Sequence, residues 1–432
     1  MLGCDVPRRK RHAVKQALGV PSNNSTSVRR LIWALGAFVL AGCSHATSSL
    51  VPATQDASNA QPLNSPYKQI YRFPGTPGGS GPTGILYDHG VFYGTTTGGG
   101  AKTLGTVFAR GVNGVVRVLY SFQGGLDGAE PDGTLLAIDD TLYGTTQRGG
   151  AHGDGTVFAV TKAGAERVIY SFKGGSDGAT PILVGLLSVN GELYGATNAG
   201  GSSSCHYKDI VGCGTIFKVS TSGAESVVYR FKGKPDGACP SGSLIESNGE
   251  LYGTTNFGGK YDDGSVFKIT LSGDETTIYS FKGYPDGVTP FAGLTPLNGN
   301  FYGTTALGGA LEGAGTVFEI TPTGTERVLH SFAGAPDGAL PYAPLLALGG
   351  KLYGTTEDGG SSDQPCIGHG IVGCGVVFSI TTSGQSSVLY RFKGHLDGGS
   401  PWSSVISAED GLYGTTLSGG NHDNGTLFEI AR

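Results

Sequence analysis

Apolar and polar residues alternate in short runs along most of this chain, a pattern typical of β-strands with one buried face. One stretch contains four such runs in succession: Gly133–Asp139, Thr141–Gln147, Gly155–Thr161 and Glu166–Phe172. The first two are joined by Asp139-Asp140, which becomes Asn-Gly in later stretches, a strong signal for a tight hairpin turn. The pattern therefore predicts four antiparallel strands in about 50 residues.

The same stretch occurs seven times. The copies follow the pattern Y-S/R-F-x-G-x-x-D-G-x-x-P, an apolar run, L-Y-G-T-T-x-x-G-G and then G-T-V-F, with substitutions in single copies such as Y-G-A-T in the third. Its central glycine recurs in steps of 50, 51, 58, 50, 51 and 60 residues, at Gly94, Gly144, Gly195, Gly253, Gly303, Gly354 and Gly414. The steps themselves repeat, which indicates that a block of three units was duplicated. Seven four-stranded units predict an all-β fold, a seven-bladed β-propeller.

The two ends of the repeat region support the same fold. The region opens with a lone strand of the fourth type, Tyr67–Phe73, and closes with a strand of the third type, Gly425–Ile430. Together they complete one blade. We therefore expect the N-terminal strand to complete the last blade, which removes open sheet edges. Residues 67–432 form one propeller domain on this interpretation.

Residues present in every copy are best explained by folding. The aromatic residues of Y-S-F, L-Y-G-T-T and V-F are expected to pack blade against blade, and the Asp-Gly pairs to form turns. The aspartates are Asp127, Asp177, Asp236, Asp286, Asp337 and Asp397. A ring of carboxylates binding a cation is the alternative, but the ligands of a bound ion usually cluster on one loop.

The N-terminal segment predicts export. Arg29 and Arg30 precede a 12-residue apolar run from Leu31 to Gly42, followed by Cys43. Such a run is too short to span a membrane that needs about 20 residues, and it fits a secretory signal. Leu40 to Cys43 reads L-A-G-C and resembles the lipobox of bacterial lipoproteins, in which the cysteine is acylated. A plain signal peptide is the alternative.

Residues 1–43 are thus predicted to be a lipoprotein-type signal, with a translation start at Val28 as one interpretation of its long basic head. Ser44 after the cysteine favours the outer membrane as the destination. Residues 44–66 are rich in Ser, Ala, Thr, Asn and Pro, which predicts a disordered tether. From Ser44 onward, 22 basic residues face 33 acidic ones, a net charge of −11, so nucleic-acid binding is not expected.

The repeat unit resembles the GloVer tandem repeat of bacteria, through Y-G-T-T-x-x-G-G and G-T-V-F, which recur seven times across residues 67–430 with single substitutions such as Y-G-A-T in the third copy. The resemblance implies an exported, surface-anchored repeat protein. It implies no chemistry, and the anchor on this interpretation is Cys43.

Two copies break the repeat. The third and sixth carry longer loops, in which Cys205 and Cys213, and again Cys366 and Cys374, stand eight residues apart. In an exported protein such pairs predict disulfides. A zinc site with His206 or His369 is the alternative, although two cysteines and one histidine fall short of four ligands. Cys239 remains outside both pairs.

These loops and the blade-to-blade loops should open on one face, around the mouth of the central channel. The candidate ligand-binding residues on that face are His152, His206, His369, His395, Trp402 and His422. The sequence contains no nucleophile–base motif, phosphate loop or H-E-x-x-H, so we assign no catalytic residue, metal or cofactor.

Three functions are consistent with these features. The first is a monomeric, lipid-anchored binding module of the bacterial cell envelope, with a glycan or protein ligand. The second is a polysaccharide lyase or hydrolase that uses His and Asp at the mouth, which clustering of His152, His395 and His422 with acids would support. The third is a structural surface protein.

Overall fold

The computed structural model describes residues 66–432 except 112, 208, 209, 311, 312, 362–365 and 367–371. The predicted signal with Cys43, and the tether up to residue 65, lie outside the described residues. Among the described residues, no helix has the length and apolar character needed to cross a membrane.

Seven antiparallel four-stranded sheets form the blades of a β-propeller, as predicted. In every blade the strands follow one another from the inner to the outer edge of the sheet. Blade 1 contains β2 Ser80–Asp88, β3 Val91–Gly98, β4 Thr106–Arg110 and β5 Val116–Ser121; blade 2 contains β6 Ala129–Ile138, β7 Thr141–Arg148, β8 Thr156–Thr161 and β9 Glu166–Ser171. Blade 3 contains β10 Leu187–Val189, β11 Glu192–Thr197, β14 Thr215–Ser220 and β15 Glu225–Arg230; blade 4 contains β16 Gly237–Ser247, β17 Glu250–Gly258, β18 Ser265–Thr270 and β19 Glu275–Ser280.

The remaining blades follow the same order. Blade 5 contains β21 Thr295–Leu297, β22 Asn300–Thr305, β24 Thr316–Ile320 and β25 Glu326–Ser331; blade 6 contains β26 Leu346–Leu348, β27 Lys351–Thr356, β28 Val376–Thr381 and β29 Ser386–Arg391; blade 7 contains β30 Ile406–Ala408, β31 Gly411–Thr416, β32 Thr426–Ala431 and β1 Tyr67–Arg72. Short accessory pairs are formed by β12 His206–Tyr207 with β13 Ile210–Val211, and by β20 Gly287–Val288 with β23 Leu307–Gly308; His395–Asp397 form a 3-10 helix.

The N-terminal strand closes the ring as predicted. β1 pairs antiparallel with β32, and both belong to the sheet of blade 7. At most ends of the predicted strands, the predicted and observed bounds agree or differ by one residue. In blade 2 the inner strand begins four residues earlier than predicted, because Ala129 and Pro131 already pair with the end of β7 before a bulge between Asp132 and Leu136.

Aromatic packing joins each blade to the next, which confirms the role predicted for these residues. The phenylalanine after each outer strand packs edge-on against the phenylalanine of G-T-V-F in the following blade. Centroids are 5.0–5.2 Å apart in all seven pairs: Phe73–Phe108, Phe122–Phe158, Phe172–Phe217, Phe231–Phe267, Phe281–Phe318, Phe332–Phe378 and Phe392–Phe428. The Y-G-T-T glycine leaves room for this ring, since a Cβ on Gly144 would lie 2.7 Å from Phe158.

The first threonine of Y-G-T-T joins neighbouring blades by a hydrogen bond. Thr254 donates its hydroxyl hydrogen to the Ala292 carbonyl of the next blade at 2.8 Å, and Thr355 donates to the Ser403 carbonyl at 3.0 Å. In blade 3 this position is Ala196, which has no hydroxyl. There the junction between blades 2, 3 and 4 includes Ser243, whose Oγ accepts a hydrogen bond from the Gly185 amide at 3.0 Å.

The Asp-Gly aspartates hold the turns that lead from one blade to the next. Asp177 Oδ2 accepts hydrogen bonds from the Lys173 amide at 2.8 Å and from the Tyr170 hydroxyl at 2.9 Å. The same pair of contacts recurs at Asp236, Asp286 and Asp397. These carboxylates therefore serve the fold, as the turn interpretation predicts.

Candidate functional site

The residue before each repeated proline, which precedes or begins the inner edge of its blade, has an unusual backbone conformation. This residue has a positive φ in all seven blades, at Gly81, Glu130, Thr180, Cys239, Thr289, Leu340 and Ser400. Only glycine adopts such a conformation readily, so six non-glycine residues there mark a built-in bend. In blades 1, 2 and 4 the inner strand also has a register irregularity just after the proline, and a β-bulge re-aims the side chains next to it.

The side chains that follow the bend come together in a ring, which we call the mouth ring. Its members are Thr83, Asp132, Leu183, Ser241, Phe291, Tyr342 and Trp402, one from each blade. Contacts join several neighbouring members: Asp132 Oδ2 accepts a hydrogen bond from the Leu183 amide at 3.1 Å, and the Ser241 hydroxyl donates to the Phe291 carbonyl at 2.9 Å. The inner strands of neighbouring blades also contact each other, which places the ring around the channel.

One side of the ring is aromatic. Phe291 and Tyr342 have ring centroids 5.2 Å apart, and Tyr342 and Trp402 are 5.3 Å apart, both edge to face. Phe291 and Tyr342 are partly exposed, whereas Trp402 is 8% exposed. We call these three residues of blades 5 to 7 the aromatic arc. They give the mouth a continuous apolar strip.

The opposite side of the ring is polar. Asp132 is buried, and Gln147 Nε2 donates a hydrogen bond to its Oδ2 at 2.7 Å. Burial raises the pKa of Asp132, and hydrogen bonds from Leu183, Gln147 and Gly133 act in the opposite direction. This carboxylate therefore joins blades 2 and 3 and is held by several donors.

Two further carboxylates lie beside the aromatic arc, and we call them the acidic corner. Glu357 and Asp358 follow Y-G-T-T in blade 6 and are 1% and 2% exposed. Burial, and then the Asp358 carboxyl, raise the pKa of Glu357 well above its usual range, while the Trp402 indole acts in the opposite direction. Burial raises the pKa of Asp358 to about 7. The corner can therefore hold or release a proton near neutral pH.

Of the residues predicted from sequence, Trp402 is the one that belongs to the mouth ring. His152 and His422 are loop residues of blades 2 and 7, His206 lies in the accessory strand β12, His395 begins the 3-10 helix, and His369 lies outside the described residues. The loops of His395 and His422 touch, since the Gly420 amide donates to the His395 carbonyl at 2.8 Å. Among the described residues, the histidines whose ring nitrogens contact a carboxylate are His89, next to Asp88, and His330, next to Asp337. A catalytic histidine cluster therefore stays a prediction.

Both predicted disulfides are present. Cys205 pairs with Cys213 and Cys366 with Cys374, at Cα separations of 5.7 and 5.0 Å. Each packs against the glycine of the loop leading to the next blade: a Cβ on Gly233 would lie 3.4 Å from the first disulfide, and a Cβ on Gly394 2.9 Å from the second. Cys239 is fully buried next to the first loop and belongs to neither pair.

Replacing Cys205 and Cys213 together by serine is expected to lower the free energy of unfolding by about 2–3 kcal/mol, because the bond closes a short loop of the unfolded chain. Urea unfolding of residues 61–432 measures this loss. Thiol titration of the same chain in denaturant without reductant should find one thiol among its five cysteines. Three or more thiols would contradict the assigned pairs.

Sequence reasoning missed Phe291, Tyr342, Glu357 and Asp358. Extra loop length and histidines do not mark these positions. The signal was nevertheless in the sequence. When the seven copies are aligned, the residue directly after the proline and the two residues after Y-G-T-T differ from copy to copy, while their neighbours vary less.

Comparison with known proteins agrees with the repeat. The family model described as the Gloeobacter/Verrucomicrobia repeat matches residues 59–207 and 207–367. The chain belongs to the Gloeobacter/Verrucomicrobia repeat family. This confirms the resemblance seen in the sequence. No curated protein matches the chain.

Solved structures share the fold of this family member at low identity. A streptogramin B lyase structure matches with a TM-score of 0.54 and 15% identity, covering 84% of this chain and 96% of that one. The computationally designed Ika8 protein matches with a TM-score of 0.47 and 14% identity, over 84% and 99% of the chains. A gluconolactonase from Xanthomonas campestris matches with a TM-score of 0.40 and 11% identity, over 68% and 86%. At these identities the likeness concerns the propeller fold.

Proposed function

We propose that this protein is an exported, lipid-anchored binding module that holds a glycan at the mouth ring. The observation that carries the proposal is the aromatic arc, three neighbouring rings that no repeat motif requires. Sugar rings present apolar C–H faces that pack on aromatic side chains, and their hydroxyls hydrogen-bond to polar groups. The mouth combines both kinds of surface, with Ser241 next to the arc and Asp132 farther round the ring.

Two features support the proposed location outside the cytoplasm. Two disulfides are typical of proteins outside the cytoplasm. Acylation of Cys43 would attach the chain to a membrane by its N-terminus, with residues 44–66 as the tether. A monomer is expected, because closure of the ring leaves the sheet edges within one chain.

A second candidate function is a polysaccharide-active enzyme. The observation that favours it is the acidic corner, since a carboxyl that stays protonated near neutral pH can act as a general acid. In that case Glu357 and Asp358 would replace the histidines as the reacting groups. The likeness to a lyase structure adds nothing to this candidate, because it concerns the fold.

One experiment separates these functions. Residues 61–432 are incubated with a panel of envelope and plant polysaccharides, and both pellet and supernatant are analysed. Retention without new products supports the binding module, and soluble fragments support the enzyme. If no polysaccharide retains the protein, the glycan proposal fails and a protein ligand or a structural role takes its place.

Replacing Tyr342 by alanine is expected to weaken retention by about tenfold or more, because central aromatic anchors dominate binding energy. Tyr261→Ala is the matched control: this tyrosine is 40% exposed on a loop of blade 4 and does not belong to the ring. Thermal unfolding checks that both variants remain folded. Equal retention of the two variants would contradict a site at the arc.

A further inference from the structure

The duplicated three-blade block allows the two halves of the propeller to be compared residue by residue. Glu357 and Asp358 of blade 6 have counterparts in blade 3, where the same positions are Asn198 and Ala199. All four residues lie at the end of the second strand of their blades and are largely or partly buried. The fold therefore accepts neutral residues at this place, so the carboxylates of blade 6 are not a requirement of the propeller.

Burying carboxylates carries a cost that neutral residues avoid. Two adjacent carboxyls out of contact with solvent either keep their protons or destabilise the folded state, unless a positive charge compensates them. The backbone here is fixed, since the Glu357 amide donates to the Leu340 carbonyl and the Asp358 amide to the Ala339 carbonyl, each at 3.0 Å. Within the described residues, Asp358 Oδ2 has no hydrogen-bond partner. The hydrogen-bonding capacity of this buried oxygen is therefore unused among the described residues.

The surroundings of the acidic corner favour a positively charged donor. Burial, together with the carboxyls of Glu357 and Asp358, raises the pKa of Tyr342, and the Trp402 indole interacts with Glu357. The backbone bonds of Glu357 and Asp358 to Leu340 and Ala339 also place both residues beside the segment that carries Tyr342. Aromatic faces attract cations, and carboxylates form their strongest hydrogen bonds with ammonium or guanidinium groups.

We infer that Glu357 and Asp358 select glycans that carry free amino groups, with the ammonium beside the aromatic arc and the sugar faces packed on Phe291 and Tyr342. This inference rests on the proposed function and names its ligand class. A protein ligand with basic side chains would use the same carboxylates. The three rings have successive centroids 5.2 and 5.3 Å apart and form a strip. Such a strip fits consecutive sugar units of a glycan better than it fits a single basic side chain of a protein.

The test compares three oligosaccharides of equal length and linkage by calorimetric titration of the full chain near neutral pH. They are β-1,4-linked hexamers of glucosamine, N-acetylglucosamine and glucose. The glucosamine hexamer is expected to bind about tenfold or more tightly than the other two, because it alone offers charged donors to the corner. Glu357→Gln and Asp358→Asn should remove that preference and leave affinity for the neutral hexamers unchanged.

Glu326→Gln is the matched control, because it removes one carboxyl of raised pKa from an outer strand rather than from the mouth. This variant should still prefer the glucosamine hexamer. If the preference came from general attraction to an acidic protein, it would weaken equally in all three variants. Equal affinity for the three hexamers, or a preference that survives both corner substitutions, would overturn the amine inference and leave the glycan proposal intact. If no hexamer binds but another polysaccharide of the panel does, the same conclusion applies. If no glycan binds at all, both fail.

Discussion

Replacing Tyr67 by alanine is expected to lower the free energy of unfolding by about 3–5 kcal/mol, the range for removing a large buried aromatic side chain. Tyr67 is 2% exposed and begins the strand that closes the ring. Its ring stacks on Tyr390 of blade 6 at 4.1 Å and lies near Phe392 and Phe428 at 5.8 and 6.0 Å. Its hydroxyl donates to the Asp397 carbonyl. One residue thus ties blade 7 to blade 6.

Urea unfolding of residues 61–432 measures this loss. Tyr67→Phe keeps the ring contacts and should lose only about 1 kcal/mol with the hydroxyl bond. Lys68→Ala changes the next residue of the same strand, whose side chain is 70% exposed, and should leave stability nearly unchanged. If Tyr67→Ala unfolds at the urea concentration of the wild type, the N-terminal strand does not hold the ring closed.

The second large effect is expected from pH. The pKa values of Glu166, Glu275 and Glu326 are each raised to about 7, first by burial and next by the aspartate of the neighbouring blade. Each glutamate begins an outer strand. In the junction between blades 4 and 5, the Tyr279 hydroxyl lies 2.8 Å from Asp286 and 3.1 Å from Glu326. Two carboxyls thus share one hydroxyl.

The sign of the effect follows from the raised values. Between pH about 4.5 and about 7 the folded protein keeps protons on these groups that the unfolded chain releases, so stability declines as pH rises through this window. The unfolding temperature is therefore expected to be at least about 5 °C lower at pH 8 than near pH 5. The triple variant Glu166→Gln, Glu275→Gln, Glu326→Gln should be more stable at pH 8 and depend less on pH.

Asp140→Asn serves as the control, because the Asp140 side chain is fully exposed and its charge stays in contact with water. It should follow the wild-type profile. If the wild-type unfolding temperature rises from pH 5 to pH 8, these glutamates ionise in the folded protein as readily as in the unfolded chain, and the prediction is wrong.

The repeat made the fold predictable because its residues act locally and identically in each blade. The Y-G-T-T glycine, the paired phenylalanines and the Asp-Gly turns recur with constant spacing, and their contacts recur with them. Closure by β1 was also predictable, since only a strand of the fourth type can complete the last sheet. The inner strand of blade 2 was predicted too short, because pairing before a bulge leaves no alternation in the sequence.

The site was less predictable because its residues meet across blades. Phe291, Tyr342 and Trp402 are separated by 51 and 60 residues, and only the bend before each proline brings them together. Trp402 was recognisable as the one tryptophan beyond the signal. Tyr342 and Glu357 carried no such distinction, because burial next to another blade cannot be inferred from one copy of the repeat.

The most direct test of a glycan site at the mouth ring is the fluorescence of Trp402. The chain contains two tryptophans, Trp33 and Trp402, so residues 61–432 report from the mouth alone. Titration with fragments of the polysaccharide that retains the protein best is predicted to give a saturable change in emission, which Tyr342→Ala abolishes and Tyr261→Ala preserves. Retention of the polysaccharide with no change in Trp402 emission would place its binding site elsewhere on the propeller.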